Sequence, residues 1–382
     1  MKRIYLDYAA ATPMGLEVVK AMEPYFSERF YNPSAVYLGS RRIRQDLDKA
    51  RAKIAMWLGA SKFEIYFTAG ATEANNLAVQ GIMRNFPDSE ILVSSIEHAS
   101  VLAPAGLFKN RRIPVNRQGD VELKALRDLL TSKTVLVSVM MVNNELGTVQ
   151  PIKEISALIR DIRQERRKSG NSRPLYLHTD AAQAGNLFDL HTHRLGVDLM
   201  SINGGKIYGP KQSGILFVKS GIEIKPLVVG GGQESNLRSG TENVAAAIGL
   251  SKALDLAQKK HAKEFRRLTE LRTQFIGELA EKVPAAVING SKKHQSPQMV
   301  SVTLPGFDNE RLTMELDELG IECAVGSACS ASSDEPSHVL TAIGLSEKEA
   351  QATLRFSFGN ETTKVSLKKV VAALAHLTAV NR

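Results

Sequence analysis

Residues 64–81 read EIYFTAGATEANNLAVQG: a short run rich in strand formers, three small residues, then a stretch with helical spacing. The pattern predicts a strand that passes through Ala69 and Gly70 into a helix beginning near Ala71 and Thr72. The same alternation recurs to about residue 220. Further strands are expected at 91–95 (ILVSS), 134–142 (TVLVSVMMV), 175–180 (LYLHTD), 197–202 (VDLMSI) and 214–218 (GILFV). Between the runs 134–142 and 175–180, Ile152, Ile155, Leu158, Ile159 and Ile162 repeat at helical spacing and mark a helix with one apolar face. Strands alternating with amphipathic helices define an α/β fold, a mostly parallel sheet flanked by helices.

The pattern changes after residue 243. Residues 244–282 form one proline-free helical stretch, and Pro284 closes it. Strands at 285–289 (AAVIN) and 299–304 (MVSVTL), a helix at 308–319 and a strand in 353–359 (TLRFSFG) then predict a smaller α+β domain. The expected division is a large domain of residues 16–250 and a small one made of 1–15 and 251–382. Internal repeats and low-complexity segments are absent from the sequence.

The chain has 382 residues, 43% of them hydrophobic, enough for a sizeable core. Its net charge of +9 raises the question of a nucleic-acid partner. The basic residues are dispersed, however. The densest run, RQERRKSG at 163–170, is interrupted by an acid and carries no aromatic residue for base stacking. A solvated basic surface is the expectation, without dedicated nucleic-acid binding. Cys323 and Cys329 are too few for a disulfide framework and too sparse for a tetrahedral metal site, so a reducing, cytoplasmic setting and no metal are expected. The first residues reach Asp7 before any apolar run develops, and VLVSVMMV is too short to cross a bilayer, so neither export nor a membrane anchor is expected.

Three loops after strand ends carry candidate chemistry. The start of the helix at Ala71 and Thr72 presents backbone N–H groups and a positive dipole end that suit a phosphate; a plain tight turn is the alternative. Asp180 ends LYLHTD, with Gln183 three residues on, where a carboxylate points into a ligand crevice or caps the next helix. Lys206 follows Gly204 and Gly205 in NGGKIYGPKQSG, where burial would expose a neutral amine able to form a Schiff base; a solvated loop lysine is the ordinary reading. Together, a phosphate cradle, a carboxylate for a pyridinium nitrogen and a lysine for an aldehyde are the parts that hold pyridoxal phosphate. A fourth stretch, GSACSASSD at 326–334, sets Cys329 among small residues, as a reactive thiol would be. Cys323, in the apolar IECAV, reads as a packed one.

YLDYAAATP, NPSA, TAGATEANNLA, EHASV, VNNELGTVQP, HTDAAQ, KIYGPKQSG, GGGQESNLRSGTEN, GSACSA and LRFSFG occur in the order found in NifS/IscS-type cysteine desulfurases, which the chain resembles over nearly its whole length. These are class V aminotransferase relatives with the fold-type I architecture of pyridoxal-phosphate enzymes. The resemblance implies that Lys206 bonds the cofactor, that Asp180 pairs with its ring nitrogen and that Ala71 and Thr72 hold its phosphate. It assigns Asn144 and Gln183 to the ring hydroxyl and His98 to stacking and proton transfer. Thr241 would reach the phosphate of a neighbouring subunit in a homodimer. Arg355 would bind the substrate carboxylate, with Asn32 a weaker candidate, and Cys329 would take sulfur from L-cysteine as a persulfide and release alanine.

The chain departs from the family pattern at Asn203 and Gly205, where serine and histidine usually contact the phosphate, and at Tyr37, where histidine is usual. The sequence closes on VVAALAHLTAVNR, so docking of a scaffold through the longer tail that some relatives have is not expected. The expected acceptor is a sulfur-carrying or scaffold protein, serving iron–sulfur cluster assembly or tRNA thiolation. The alternatives are a selenocysteine lyase, a class V aminotransferase, which needs no cysteine loop, and a cofactor-binding scaffold or regulator without turnover.

Overall fold

The computed structural model describes residues 3–326 and 336–380. In chain order its strands are β1 (Ile4–Tyr5), β2 (Ile65–Thr68), β3 (Glu90–Ser94), β4 (Asn110–Ile113), β5 (Thr134–Ser138), β6 (Tyr176–Asp180), β7 (Leu199–Asn203), β8 (Gly214–Val218), β9 (Val287–Asn289), β10 (Met299–Thr303), β11 (Ile321–Glu322) and β12 (Thr353–Ser357). Seven of them form one sheet in the order β2-β8-β7-β6-β5-β3-β4. β8 runs antiparallel to both neighbours, and the other pairings are parallel. The sheet is therefore α/β in kind, and β3, β5, β6 and β7 all end at the same edge.

Burial explains why the sheet takes these strands. β3, β5 and β8 are buried at every residue, and β6 and β7 at four of five, as expected for strands covered by helices on both faces. The helix Ala71–Met83 packs Ala74, Leu77, Ala78 and Ile82 against this sheet. Burying a leucine such as Leu77 contributes about 2 kcal/mol. The helix Ile152–Lys168 turns Ile152, Ile155 and Ile159 inward; at its basic end Arg167 and Lys168 face solvent, while Arg166 is buried and donates to the Thr131 and Thr134 carbonyls at 2.6 and 2.8 Å.

Two features differ from the sequence expectation. The apolar run 134–142 is a strand only as far as Ser138. Beyond it the buried chain folds back, with Val142 bridging Val149 and the Asn143 Oδ1 accepting from the Glu145 and Leu146 N–H groups at 2.9 and 2.8 Å. Hydrophobicity here marks a buried turn. β4, with the sequence NRRI, has no apolar run; at the sheet edge it is held by pairing with β3.

A second antiparallel sheet, β12-β10-β9, lies among the later residues, and β1 pairs in parallel with β11. Leu6 joins the apolar cluster of Phe275, Val302, Leu354, Phe356 and Leu374, separate from the cluster under the large sheet. The helix Val244–Lys282 runs through both, with Leu250 and Leu254 in the first and Leu271 and Phe275 in the second.

Candidate active site

The carboxyl edge of the large sheet, where parallel sheets bind ligands, holds a cavity of about 230 Å³. Ala71, Thr72, His98, Asn144, Asp180, Gln183, Asn203, Lys206 and Arg355 all line it. Each comes from the segment that follows a strand or from a strand end, except Arg355, which β12 supplies from the second sheet.

At the helix Ala71–Met83 the residue before the first turn is Gly70, with φ of 105° and no side-chain cap. The first N–H groups are thus left for another acceptor. Only glycine takes that backbone angle without strain. β8 approaches so closely that a Cβ at Gly214 would lie 2.7 Å from the Gly70 backbone.

Asp180 is buried at the end of β6. Its Oδ1 accepts from the Ala182 N–H at 2.8 Å and its Oδ2 from Asn75 Nδ2 at 2.7 Å. Gln183 Nε2 donates to the Ala9 carbonyl at 3.0 Å, while its Oε1 is buried with no hydrogen-bond partner. His98 precedes the helix Ala99–Gly106 and caps it, its Nδ1 accepting from the Ser100 N–H at 3.1 Å and lying 2.8 Å from Ser100 Oγ.

Lys206 sits on a single helical turn, Gly204–Lys206, that Asn203 caps by accepting the Gly205 N–H at 2.9 Å. Asn186 Nδ2 holds the Lys206 carbonyl at 2.7 Å, and the lysine Nζ donates to the Ala10 carbonyl at 2.5 Å. The N-terminal segment is fastened over this turn by Thr12, whose hydroxyl donates to the Gly205 carbonyl at 3.0 Å. Gly204 has no room for a side chain, since a Cβ there would meet Ser213 Oγ at 2.1 Å. Gly205 has ordinary clearance, so its lack of a side chain leaves space beside Lys211.

Arg355 is 2% exposed. It donates from Nη2 to Asp7 Oδ1 at 2.6 Å and from Nη1 to the Asn144 carbonyl at 3.0 Å, and its Nε is buried without a partner. With Asp7 it forms an ion pair that is buried on the arginine side.

Behind the site lie two buried titratable groups. His178 stands between Ser138 Oγ at 2.8 Å and Ser201 Oγ at 3.0 Å, and burial pushes it down to about 4, against the pull of Asp180. Burial raises Glu97 well above the usual carboxylate range, and the Asp180 charge adds to this; the Met140 N–H at 2.5 Å opposes it.

Within one chain the cavity does not include Asn32 or Thr241. Asn32 is exposed and accepts from the Ser34 N–H in a local turn. Thr241 lines a neighbouring cavity with Ala69 and Gly214. Cys329 lies outside the described residues. The segments on either side of it can be followed: Ala324 and Arg355 exchange backbone hydrogen bonds of 3.1 and 2.7 Å, and Ser337 Oγ donates to Glu145 Oε2 at 2.5 Å. Cys323 is pushed up to about 12 by burial. Sequence reading missed Asn75, Ser100, Asp7 and the backbone of Ala9 and Ala10. Asn75 was findable, since it stands four residues after Ala71 and shares its helix face.

The donor set fits pyridoxal phosphate. An uncapped helix start suits the phosphate, a buried carboxylate the ring nitrogen, and the orphaned Gln183 Oε1 a ring substituent that donates a hydrogen. Fold and cavity together define a fold-type I pyridoxal-phosphate enzyme.

A family model described as "Aminotransferase class-V" matches residues 4–370. The cysteine desulfurase IscS of Dictyoglomus turgidum is 40% identical over 385 residues, covering 99% of this chain and 95% of that protein. Among solved structures, a NifS-like protein is 28% identical with a TM-score of 0.90, covering 99% of this chain and all of the other. A structure titled "SspA in complex with cysteine" is 33% identical with a TM-score of 0.77, covering 93% and 98%. The chain belongs to the class V aminotransferase family, and within it to the NifS/IscS-type cysteine desulfurases.

Proposed function

We propose that the cavity converts L-cysteine to L-alanine, that Lys206 and Asp180 hold the cofactor in it, and that Cys329 carries the sulfur away. The observation that supports this reading most is the meeting of Lys206 Nζ, Asp180 and the uncapped start of the helix Ala71–Met83 around one cavity. A relative solved with cysteine supports the substrate. Bound there, pyridoxal phosphate supplies an aldehyde that takes amines covalently and a protonated ring that accepts electrons from the substrate.

The chain's own groups do the rest. Ala71 and Thr72 N–H groups, with Asn203, hold the phosphate, while Gly204 and Gly205 let the backbone approach it. Asn144 and Gln183 hold the ring hydroxyl. Asp180 holds a proton at the ring nitrogen, and His98 covers the ring. Arg355 takes the substrate carboxylate with the N–H groups that Asp7 and the Asn144 carbonyl leave over. Lys206 Nζ takes the Cα proton. The Cys329 thiolate would then bond the substrate sulfur; the bond from that sulfur to Cβ breaks with its electron pair going to carbon, Cβ takes up the proton that the Cys329 thiol gave up, Lys206 returns a proton to Cα, and alanine leaves.

Phe30, Val36 and Leu38 are 67%, 83% and 61% exposed in one neighbourhood with Tyr31 and Tyr37. So apolar a surface supports a homodimer in which Thr241 and Asn32 act on the neighbouring subunit's site. The persulfide passes to an acceptor protein in the cytoplasm, for iron–sulfur cluster assembly or tRNA thiolation. No described helix is long and apolar enough to cross a membrane.

The test is borohydride reduction of the purified protein followed by peptide mass spectrometry, with alanine and sulfide measured from L-cysteine. The expected results are a reduced cofactor adduct on Lys206 and loss of sulfide release in Cys329→Ala. No adduct on Lys206, or full turnover by Cys329→Ala, overturns the reading.

A further inference from the structure

We infer that Asn75 and Ser100 are positioning residues that tie Asp180 to His98 and fix which ring nitrogen of His98 carries its hydrogen. The inference rests on the site assignment above. Asn75 is completely buried, four residues into the helix Ala71–Met83. Its Nδ2 makes two contacts, with Asp180 Oδ2 at 2.7 Å and with Ser100 Oγ at 2.8 Å. The amide cannot be turned round, because a carboxylate oxygen only accepts and would then face an amide oxygen.

With both Nδ2 hydrogens committed, Ser100 Oγ is an acceptor from Asn75. The Ser100 backbone N–H, 3.1 Å from His98 Nδ1, can only donate and so makes that nitrogen an acceptor; the Ser100 hydroxyl hydrogen is therefore the one that spans the 2.8 Å to it. A nitrogen that accepts from two donors holds a lone pair, so the neutral ring carries its hydrogen on Nε2. Two groups that cannot switch roles set the directions in the chain Asp180–Asn75–Ser100–His98: the carboxylate, which only accepts, orients the Asn75 amide, and the Ser100 backbone N–H, which only donates, makes His98 Nδ1 the acceptor. From Asn75 through the Ser100 hydroxyl to His98 the bonds run in one direction and polarise one another, while the bond to Asp180 leaves the same nitrogen the other way.

The buried Asn75 Oδ1 has no hydrogen-bond partner. An asparagine is kept there despite that cost because one nitrogen must donate to two acceptors at once. Serine would offer a single hydrogen, and aspartate would set a second carboxylate against Asp180. The carboxylate for the cofactor's ring nitrogen and the histidine for its face are thereby held as one unit by two residues behind the cavity.

The test is ¹⁵N NMR of the histidine rings, in cofactor-free and cofactor-loaded protein, with His98 assigned from the resonance lost in His98→Gln. Wild type is expected to show His98 with hydrogen on Nε2 and a hydrogen-bonded Nδ1. Ser100→Ala moves the Nδ1 resonance downfield, Asn75→Leu moves it less, and Ser100→Thr restores it. In the loaded enzyme Asn75→Leu lowers kcat by about 10²-fold with KM for L-cysteine little changed. Ser100→Ala costs activity alone but adds little on top of Asn75→Leu, because the two act in one chain. A hydrogen on Nδ1 in wild type, an unmoved Nδ1 resonance in Ser100→Ala, or losses that multiply in the double variant would each overturn the inference. If Lys206 takes no cofactor, the desulfurase assignment fails, while the ring measurement on cofactor-free protein still decides this one.

Discussion

Arg355 shows what a single side chain contributes. Its guanidinium is buried between an acid from the N-terminal segment and a carbonyl from the turn after β5, so three distant parts of the chain meet on it. A planar fork has donors left over for a second carboxylate, whereas a lysine in the same place is a point charge without the paired geometry. Arg355→Lys is expected to raise KM for L-cysteine about tenfold, the equivalent of 1.4 kcal/mol, with a smaller effect on kcat. Steady-state kinetics check this, and an unchanged KM would remove Arg355 from substrate binding. The two cysteines make the opposite contrast. A thiol pushed up to about 12 by burial is not a nucleophile near neutrality, so Cys323→Ala is expected to leave sulfide release intact where Cys329→Ala abolishes it. The strand alternation around Arg355 was legible in the sequence. Its partner Asp7 was not, because the two residues are 348 positions apart and no local pattern links them.

Among the elements, the segments after strands were the most legible, because glycine and small residues at strand ends mark the turns in advance. The strand-to-helix passage through Gly70 falls where the sequence predicted it, and so does the short turn that carries Lys206. What periodicity could not distinguish was a buried turn from a strand, as in residues 139–142, where both are apolar. Nor could it show that β6 hides an ionisable group behind the site. His178 is neutral in the folded chain down to about 4, but in the unfolded chain it takes a proton near 6.5. Between those values the unfolded state binds more protons, so this residue makes stability rise with pH, by at most about 1.4 kcal/mol per pH unit. The raised carboxyl of Glu97 acts with the other sign: it favours the folded state below about 4.5, and that contribution is lost as pH rises toward its folded value. The two overlap, so the wild-type profile alone is uninformative. The difference in urea-unfolding free energy between wild type and His178→Asn isolates the histidine. That difference should change steadily from pH 6.5 to 4; a flat one would mean that His178 is protonated in the folded state as readily as in the unfolded.

At the scale of the whole molecule the question is whether the two apolar clusters are separate units, as the sequence division into 16–250 against 1–15 and 251–382 proposes. The helix Val244–Lys282 makes this more than a matter of labels. At about 58 Å it is long enough to reach from one cluster into the other, with Leu250 and Leu254 serving the first and Leu271, Phe275 and Leu279 the second. Phe275 is the place to separate them. It is fully buried and meets Phe356 and Phe358 edge to face, with ring centroids 5.5 and 5.6 Å away. Removing its ring leaves a cavity walled by β12 and costs about 3–5 kcal/mol. If the clusters are independent, native-state hydrogen exchange in Phe275→Ala should speed up at β10, β12 and the helix Lys364–Val380. The amides of β5, β6 and β7 should keep their protection, and bound cofactor should stay with them. If the continuous helix instead makes the molecule one cooperative unit, protection in the large sheet falls by the same free energy as in the small one. The proposed division is then wrong, and Arg355, carried on β12, cannot move relative to Lys206 without unfolding both.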